Sequence, residues 1–243
     1  MRCCSAPRPQ TWRLDSCRFP PGPVRLPCPA RTCSSAGVLD WTLENLRADD
    51  VARLRAIYEP LTESVRALID ATIRTEVDAD TVATARAEID AATARLRSKQ
   101  LDGPYGIRFT TDGDQMAWGN VVIGVRNPVA PPLVMHQGEG GVFTDFHLGA
   151  AYEGPPGHVH GGVSAMLLDH VLGAAASSRD KPRLTGTITL RYVRTTRLGN
   201  LHAEARIART EGVKTYTVGH LADEDGVTVE AEGVFIQPRW ARE

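Results

Sequence analysis

The 210 residues that follow position 33 contain no cysteine. All five cysteines of this 243-residue chain (Cys3, Cys4, Cys17, Cys28 and Cys33) lie before that point. This excludes a disulfide-stapled or thiol-catalysed main body. The chain also lacks any apolar run near the roughly 20 residues a membrane-spanning helix needs. An excess of charge of one sign is missing too: the net charge is -1, which speaks against a nucleic-acid footprint. What remains is an ordinary soluble composition, 42% hydrophobic and 23% charged, long enough for one or two domains of roughly 150 residues.

The amino-terminal stretch differs from the rest. Residues 1–37 hold six arginines against one acid, Asp15, a net of +5 that leaves -6 for the remainder. Seven of the 16 prolines lie in the first 33 residues. Pro20-Pro21-Gly22-Pro23 and Pro27-Cys28-Pro29 forbid regular helix or central strand. With few apolar side chains to bury, residues 1–40 are expected to form a disordered Arg/Pro/Cys-rich tail. No apolar stretch follows the arginines, so a secretory signal is not expected, and the chain is placed in the cytoplasm. An organelle matrix is the alternative if the Arg-rich tail is a transit peptide. The cysteines lack the paired C-x-x-C knuckles of a zinc site, so no metal is expected. Translation starting at Val38 is a further reading of this tail.

Residues 41–100 read as helical. Leu54, Ile57, Tyr58 and Leu61 recur at i, i+3, i+4 and i+7. Val65, Leu68, Ile69 and Ile73 continue the pattern after Pro60, and Val82, Ala85, Ile89, Ala92 and Leu96 form a third stripe behind Asp78 or Asp80 as N-cap. One stripe per helix means each needs a partner surface, either as packing or as a lid beside a functional domain.

Residues 101–243 carry strand patterns. Val121–Val125 is apolar and Gly141–Leu148 alternates. In 184–193, Leu184, Ile188, Leu190 and Tyr192 fall on one face, and Thr185, Thr187, Thr189 and Arg191 on the other. Further alternation in 201–207, 215–221 and 227–235, with turns at Gly212 and Asp225-Gly226, suggests an antiparallel meander. One apolar segment, 163–176, breaks the rhythm and reads as a helix buried on most sides. Together these imply an α+β fold in which a sheet wraps around one helix.

Two features of that helix carry chemistry. Asp169 sits among apolar residues, and a carboxylate there costs several kcal/mol unless it is paired or used. An ion pair with His170 or an arginine would be the structural reading. The helix follows His160-Gly161-Gly162, and a helix start offers free N–H groups that an oxyanion can approach where no side chain intervenes. A tight turn is the plainer reading of the same glycines. His160 and Asp169 are nine residues apart, about half a circle and ~13 Å along a helix, so they fit one site only if two chains each supply a half.

The run Gly157-His158-Val159-His160-Gly161-Gly162, followed by Leu167-Leu168-Asp169, resembles the hotdog-fold thioesterases of the phenylacetic-acid-degradation (PaaI) type. The longer run Tyr152–Gly162 is similar to acyl-CoA thioesterases related to the animal mitochondrial long-chain enzymes, and the resemblance spans roughly residues 120–237. It implies a hotdog fold, a homodimer or dimer of dimers with sites at the interface, and hydrolysis of acyl-CoA. No cofactor is implied, because coenzyme A belongs to the substrate. It implies Asp169 as general base or nucleophile, the Gly161 N–H as carbonyl donor, His160 as orienting group, and Thr185 holding water from the partner side. Gly162 and His158 would lie against substrate, His158 and Gly157 standing where some members place an asparagine. Arg191, Arg194, Arg197 and Lys214 are candidates for the phosphates of coenzyme A. A non-catalytic acyl-CoA-binding module and a hotdog hydratase or dehydratase are the competing readings.

Overall fold

The structure is a computed structural model and describes residues 41–111, 113–178 and 181–242. The expectations for the amino-terminal tail lie outside the described residues. In chain order the elements are β1 (Trp41–Leu43), α1 (Ala48–Arg74), α2 (Ala79–Arg97), β2 (Ile107–Phe109), β3 (Gln115–Met116), β4 (His136–Gly138), β5 (Gly141–Leu148), α3 (Gly161–Ala176), β6 (Leu184–Tyr192), β7 (Gly199–Glu211), β8 (Lys214–Asp223) and β9 (Gly226–Ile236). No helix among the described residues is long and apolar enough to cross a membrane.

The first helix starts where the Asp50 carboxylate accepts the Arg47 N–H at 3.0 Å. It then runs 27 residues straight through Pro60, which sequence spacing treats as a join between stripes. Proline removes one backbone donor there; the hydroxyls of Thr62 and Ser64 donate back to the carbonyls of Tyr58 and Pro60 at 2.9 and 3.0 Å. The expected stripe is split. Leu54 and Tyr58 pack with Val51 on a second small core of Met116, Trp118 and Val125, whereas Ile57 and Leu61 face outward. Arg66 ties the same helix down by donating to the carbonyls of Asn127 and Ala130, both at 3.0 Å, and Gly124 at 3.4 Å. The second helix begins at Asp78, whose carboxylate accepts the Thr81 N–H at 2.9 Å, and it contains no buried residue.

Val121–Val125 forms turns instead of the expected strand. The Asn120 side-chain oxygen accepts the N–H groups of Val122 and Ile123 at 2.7 and 3.1 Å, a local bond that competes with any ladder. Residues 107–116 likewise stay out of the main sheet: β1, β2 and β3 form a separate three-stranded sheet.

The main sheet has six strands in the order β4-β5-β7-β8-β9-β6. All its pairs are antiparallel. Strands β7, β8 and β9 are the expected meander, turning at Gly212 and at Asp225-Gly226. The strand β6 does not join β7, its neighbour in sequence; β5 already occupies that edge, so β6 pairs with β9 and ends the sheet. The sheet curls around α3, whose Leu167, Leu168, Val171 and Leu172 are fully buried against Leu148, Leu201, Ala203, Leu221, Val229 and Phe235. Burial of each such leucine or valine contributes about 1.5–3 kcal/mol. This is the sheet-around-a-helix hotdog arrangement that the resemblance implies.

Candidate active site

His160 is the N-cap of α3. Its Nδ1 accepts the Gly162 N–H at 3.0 Å, which puts the neutral ring's proton on Nε2. The Val163 and Ser164 N–H groups donate to the His160 carbonyl at 2.9 and 3.2 Å. The Gly161 N–H is thus the first-turn donor left without a partner among the described residues. The turn before it is closed by the Glu153 carboxylate, which accepts the Gly157 N–H at 2.7 Å, with Gly157 at φ 73, a left-handed conformation glycine takes without strain. His158 belongs to that turn: its Nδ1 lies 2.8 Å from the Pro156 carbonyl.

Tyr192, read from sequence only as one residue on the apolar face of a strand, acts on this helix start. Its phenol donates to the Gly161 carbonyl at 2.8 Å. The peptide between Gly161 and Gly162 is therefore held at both ends, its oxygen by Tyr192 and its N–H by His160.

Two turns further along, Asp169 is half-buried, and the Thr185 hydroxyl donates to its Oδ1 at 2.9 Å. Asp169 makes no ion pair and no hydrogen bond through Oδ2 among the described residues. Its neighbour His170 faces a different environment: burial pushes the imidazole below its ordinary pKa of 6.5, and the Asp169 charge opposes that only in part. Thr185 stands within hydrogen-bond reach of Asp169 of its own chain.

Simple alternation puts Thr185 on the face opposite Leu190 and Tyr192. The structure overturns this through a β-bulge. Thr187 pairs with Val234 and Thr185 with Phe235, so Gly186 is the extra residue and Thr185 turns inward onto α3. A Cβ at Gly186 would come within 2.7 Å of Ile236 Cδ1 and 3.1 Å of the Val234 carbonyl, which is why the bulged position is glycine. Strand β6 thus touches α3 at two points, Thr185 on Asp169 and Tyr192 on Gly161.

The proposed cationic residues are not gathered here. Arg194 donates to Asp223 Oδ2 at 2.9 Å and to the Gly226 carbonyl at 2.7 Å, a clamp on the β8–β9 turn. That guanidinium, with the backbone N–H groups of Arg197 and Asp225, holds the Asp223 carboxyl down to about 2 from an ordinary 3.8. Arg197 pairs with Glu224 and Asp225 at 3.1 and 2.9 Å. Arg191 pairs with Glu230 at 3.1 Å on the outer face of the sheet, and Lys214 is exposed at the start of β8. A cavity of about 1010 Å³ opens on that outer face, lined by Arg191, His202, Glu204 and His220 among others. Asp169, Thr185 and Gly161 do not line it; they lie at the β6 edge, where one chain alone supplies no second wall. No group of three or more His, Asp or Glu side chains among the described residues is arranged to hold a metal ion.

The thioesterase superfamily model matches residues 156–230, the stretch from the turn before α3 to β9. A solved structure described as a thioesterase superfamily protein is 33% identical, with a TM-score of 0.64, over 74% of this chain and 90% of its own. A conserved protein from Pseudomonas aeruginosa is 22% identical (TM-score 0.41) over 44% of this chain and 90% of its own. The PaaI protein of the E. coli phenylacetic acid degradation operon is 15% identical (TM-score 0.42) over 44% of this chain and 80% of its own. No curated protein matches the chain. With a third of its residues shared across nine-tenths of a member, and with a six-stranded antiparallel sheet curled around one central helix, the chain belongs to the thioesterase superfamily.

Proposed function

We propose that this protein hydrolyses acyl-CoA thioesters to the free acid and coenzyme A. The observation that carries the reading is Asp169: a carboxylate in an otherwise apolar helix, held by Thr185 through one oxygen and without a partner on the other among the described residues. A structural carboxylate there would be expected to be paired through both oxygens. Asp169 acts as general base on water or as nucleophile. On the first route it takes a proton as the water oxygen bonds to the thioester carbon. The carbonyl oxygen then gains charge against the Gly161 N–H, the carbon–sulfur bond breaks, and the proton passes to the departing thiolate. Thr185 orients the carboxylate, and His160 shapes the turn that presents Gly161.

Gly161 and Asp169 lie eight residues apart on α3, about 12 Å along its axis, whereas a reacting atom must sit about 3 Å from both base and donor. The complete site therefore takes Asp169 and Thr185 from one chain and the Gly161 turn from a second copy. Strand β6 suits such a meeting: it is a nine-residue sheet edge with Leu184 and Tyr192 exposed. The acyl group is proposed as medium- to long-chain, on the likeness of the Tyr152–Gly162 run to the long-chain enzymes.

Thiol release from acyl-CoAs of increasing chain length tests this directly. Wild-type protein is expected to turn over at least one of them. Asp169→Asn should lower kcat by roughly 10²–10⁴, the usual share of a general base, with the folded state and the subunit mass unchanged. Undiminished turnover in that variant overturns the role of Asp169.

A further inference from the structure

The second helix has no buried residue along 19 positions, yet a helix of that length gains most of its stability by burying a face. Its apolar side chains remain open: Val82 is 48% exposed, Ile89 38% and Leu96 55%. With Ala85 and Ala92 they form one apolar stripe, within about 80° on a helical wheel. Its three large members lie seven residues apart, so Val82, Ile89 and Leu96 read the same in both directions about Ile89.

Such a palindrome is what an isologous contact requires, since a two-fold axis through Ile89 sets Val82 against Leu96 of a second copy and Ile89 against itself. The charges have the matching asymmetry. Glu76, Asp78 and Asp80 lead into the helix, and Arg95, Arg97 and Lys99 leave it. Antiparallel pairing places the acidic end of each helix against the basic end of the other; parallel pairing places like against like. The small Ala85 and Ala92 flank Ile89 and allow the axes to approach to the usual 8–10 Å, about the closest packed-helix spacing.

We propose that α2 is a self-association surface, occupied by α2 of a second copy of this chain in antiparallel orientation with the two-fold axis at Ile89. This contact is separate from the β6 edge and does not depend on the catalytic reading. It is tested in the full chain with its five tail cysteines changed to serine. At about 8–10 Å between axes, Cα atoms on the axis come within disulfide range. Mild oxidation should join Ile89→Cys chains at least tenfold faster than Thr84→Cys chains, whose cysteine lies on the opposite face. Val82→Cys and Leu96→Cys should each stay unjoined alone and form a mixed disulfide when combined. Ile89→Glu should lower the native molar mass by light scattering, with the far-ultraviolet helix signal retained for the rest of the chain. Self-joining of Val82→Cys and of Leu96→Cys would show a parallel pair and overturn the proposal. Equal rates at Ile89 and Thr84 would overturn it as well and leave the stripe to another occupant. Neither result touches thiol release, which tests the catalytic reading on its own.

Discussion

Tyr192 and Thr185 do comparable work at two ends of one strand. Each hydroxyl donates to an oxygen of α3, the Gly161 carbonyl at 2.8 Å and the Asp169 carboxylate at 2.9 Å. Thr185 touches a group proposed to react; Tyr192 acts through the peptide next to the Gly161 donor and is a positioning residue. Tyr192→Phe removes only the hydroxyl, so stability should fall by about 0.5–1.5 kcal/mol, the usual net worth of one neutral hydrogen bond. Its kcat should fall several-fold with KM little changed, measured by thiol release, because a loosened Gly161 weakens contact with the developing oxyanion more than contact with bound substrate. An equal change in KM and none in kcat would instead assign the residue to substrate binding. The motif residues were visible in the sequence because glycines and an isolated carboxylate violate the local apolar pattern. Tyr192 was not. An aromatic residue on a strand's inner face looks like packing until the strand's path over the helix is known.

The same limit appears for whole elements. Strand alternation located β5 through β9 well, since the period of two survives wherever one face is buried. It failed at Gly186, where one inserted residue moves Thr185 from the outer to the inner face. It also could not say that β6 pairs with β9, because edge order depends on which strand already covers β7. Helical spacing, in turn, merged two faces of α1 into one stripe. Leu54 and Tyr58 pack inward while Ile57 is 64% exposed. The bulge yields a sharp expectation. Gly186→Ala forces a Cβ against Ile236 and the Val234 carbonyl, an overpacking cost of about 1–3 kcal/mol. Relief of that clash should shift Thr185 off Asp169. A lowered Tm and a kcat no better than that of Thr185→Val, measured side by side, are the expected results; full activity with a normal Tm would mean the bulge does not aim Thr185.

At the scale of the molecule, two buried or clamped groups contribute to how stability follows pH. Burial lowers the His170 pKa from 6.5, so the unfolded chain holds a proton that the folded chain refuses. Its contribution is complete above about that value and is lost as pH falls below it. Asp223, held at about 2 against an ordinary 3.8, adds stability above 3.8 that is lost as pH falls towards 2. Calorimetric melts should therefore show Tm declining in two separate acid windows. His170→Gln should remove the first and spare the second, whereas Arg194→Gln should shrink the second, which the backbone N–H groups of Arg197 and Asp225 still support, and spare the first.

Arg66 has a consequence for how this architecture is inherited. One side chain on α1 donates to three carbonyls between Gly124 and Ala130, and Trp118 is roofed by Leu54 and Tyr58 of the same helix. A lineage that discarded α1 would leave those carbonyls to water and lay bare a tryptophan, with no gain at the α3 site to offset the loss. The first helix and residues 105–130 must be gained, kept or lost together, while α2, which nothing among the described residues roofs, stays free to vary with whatever it meets outside.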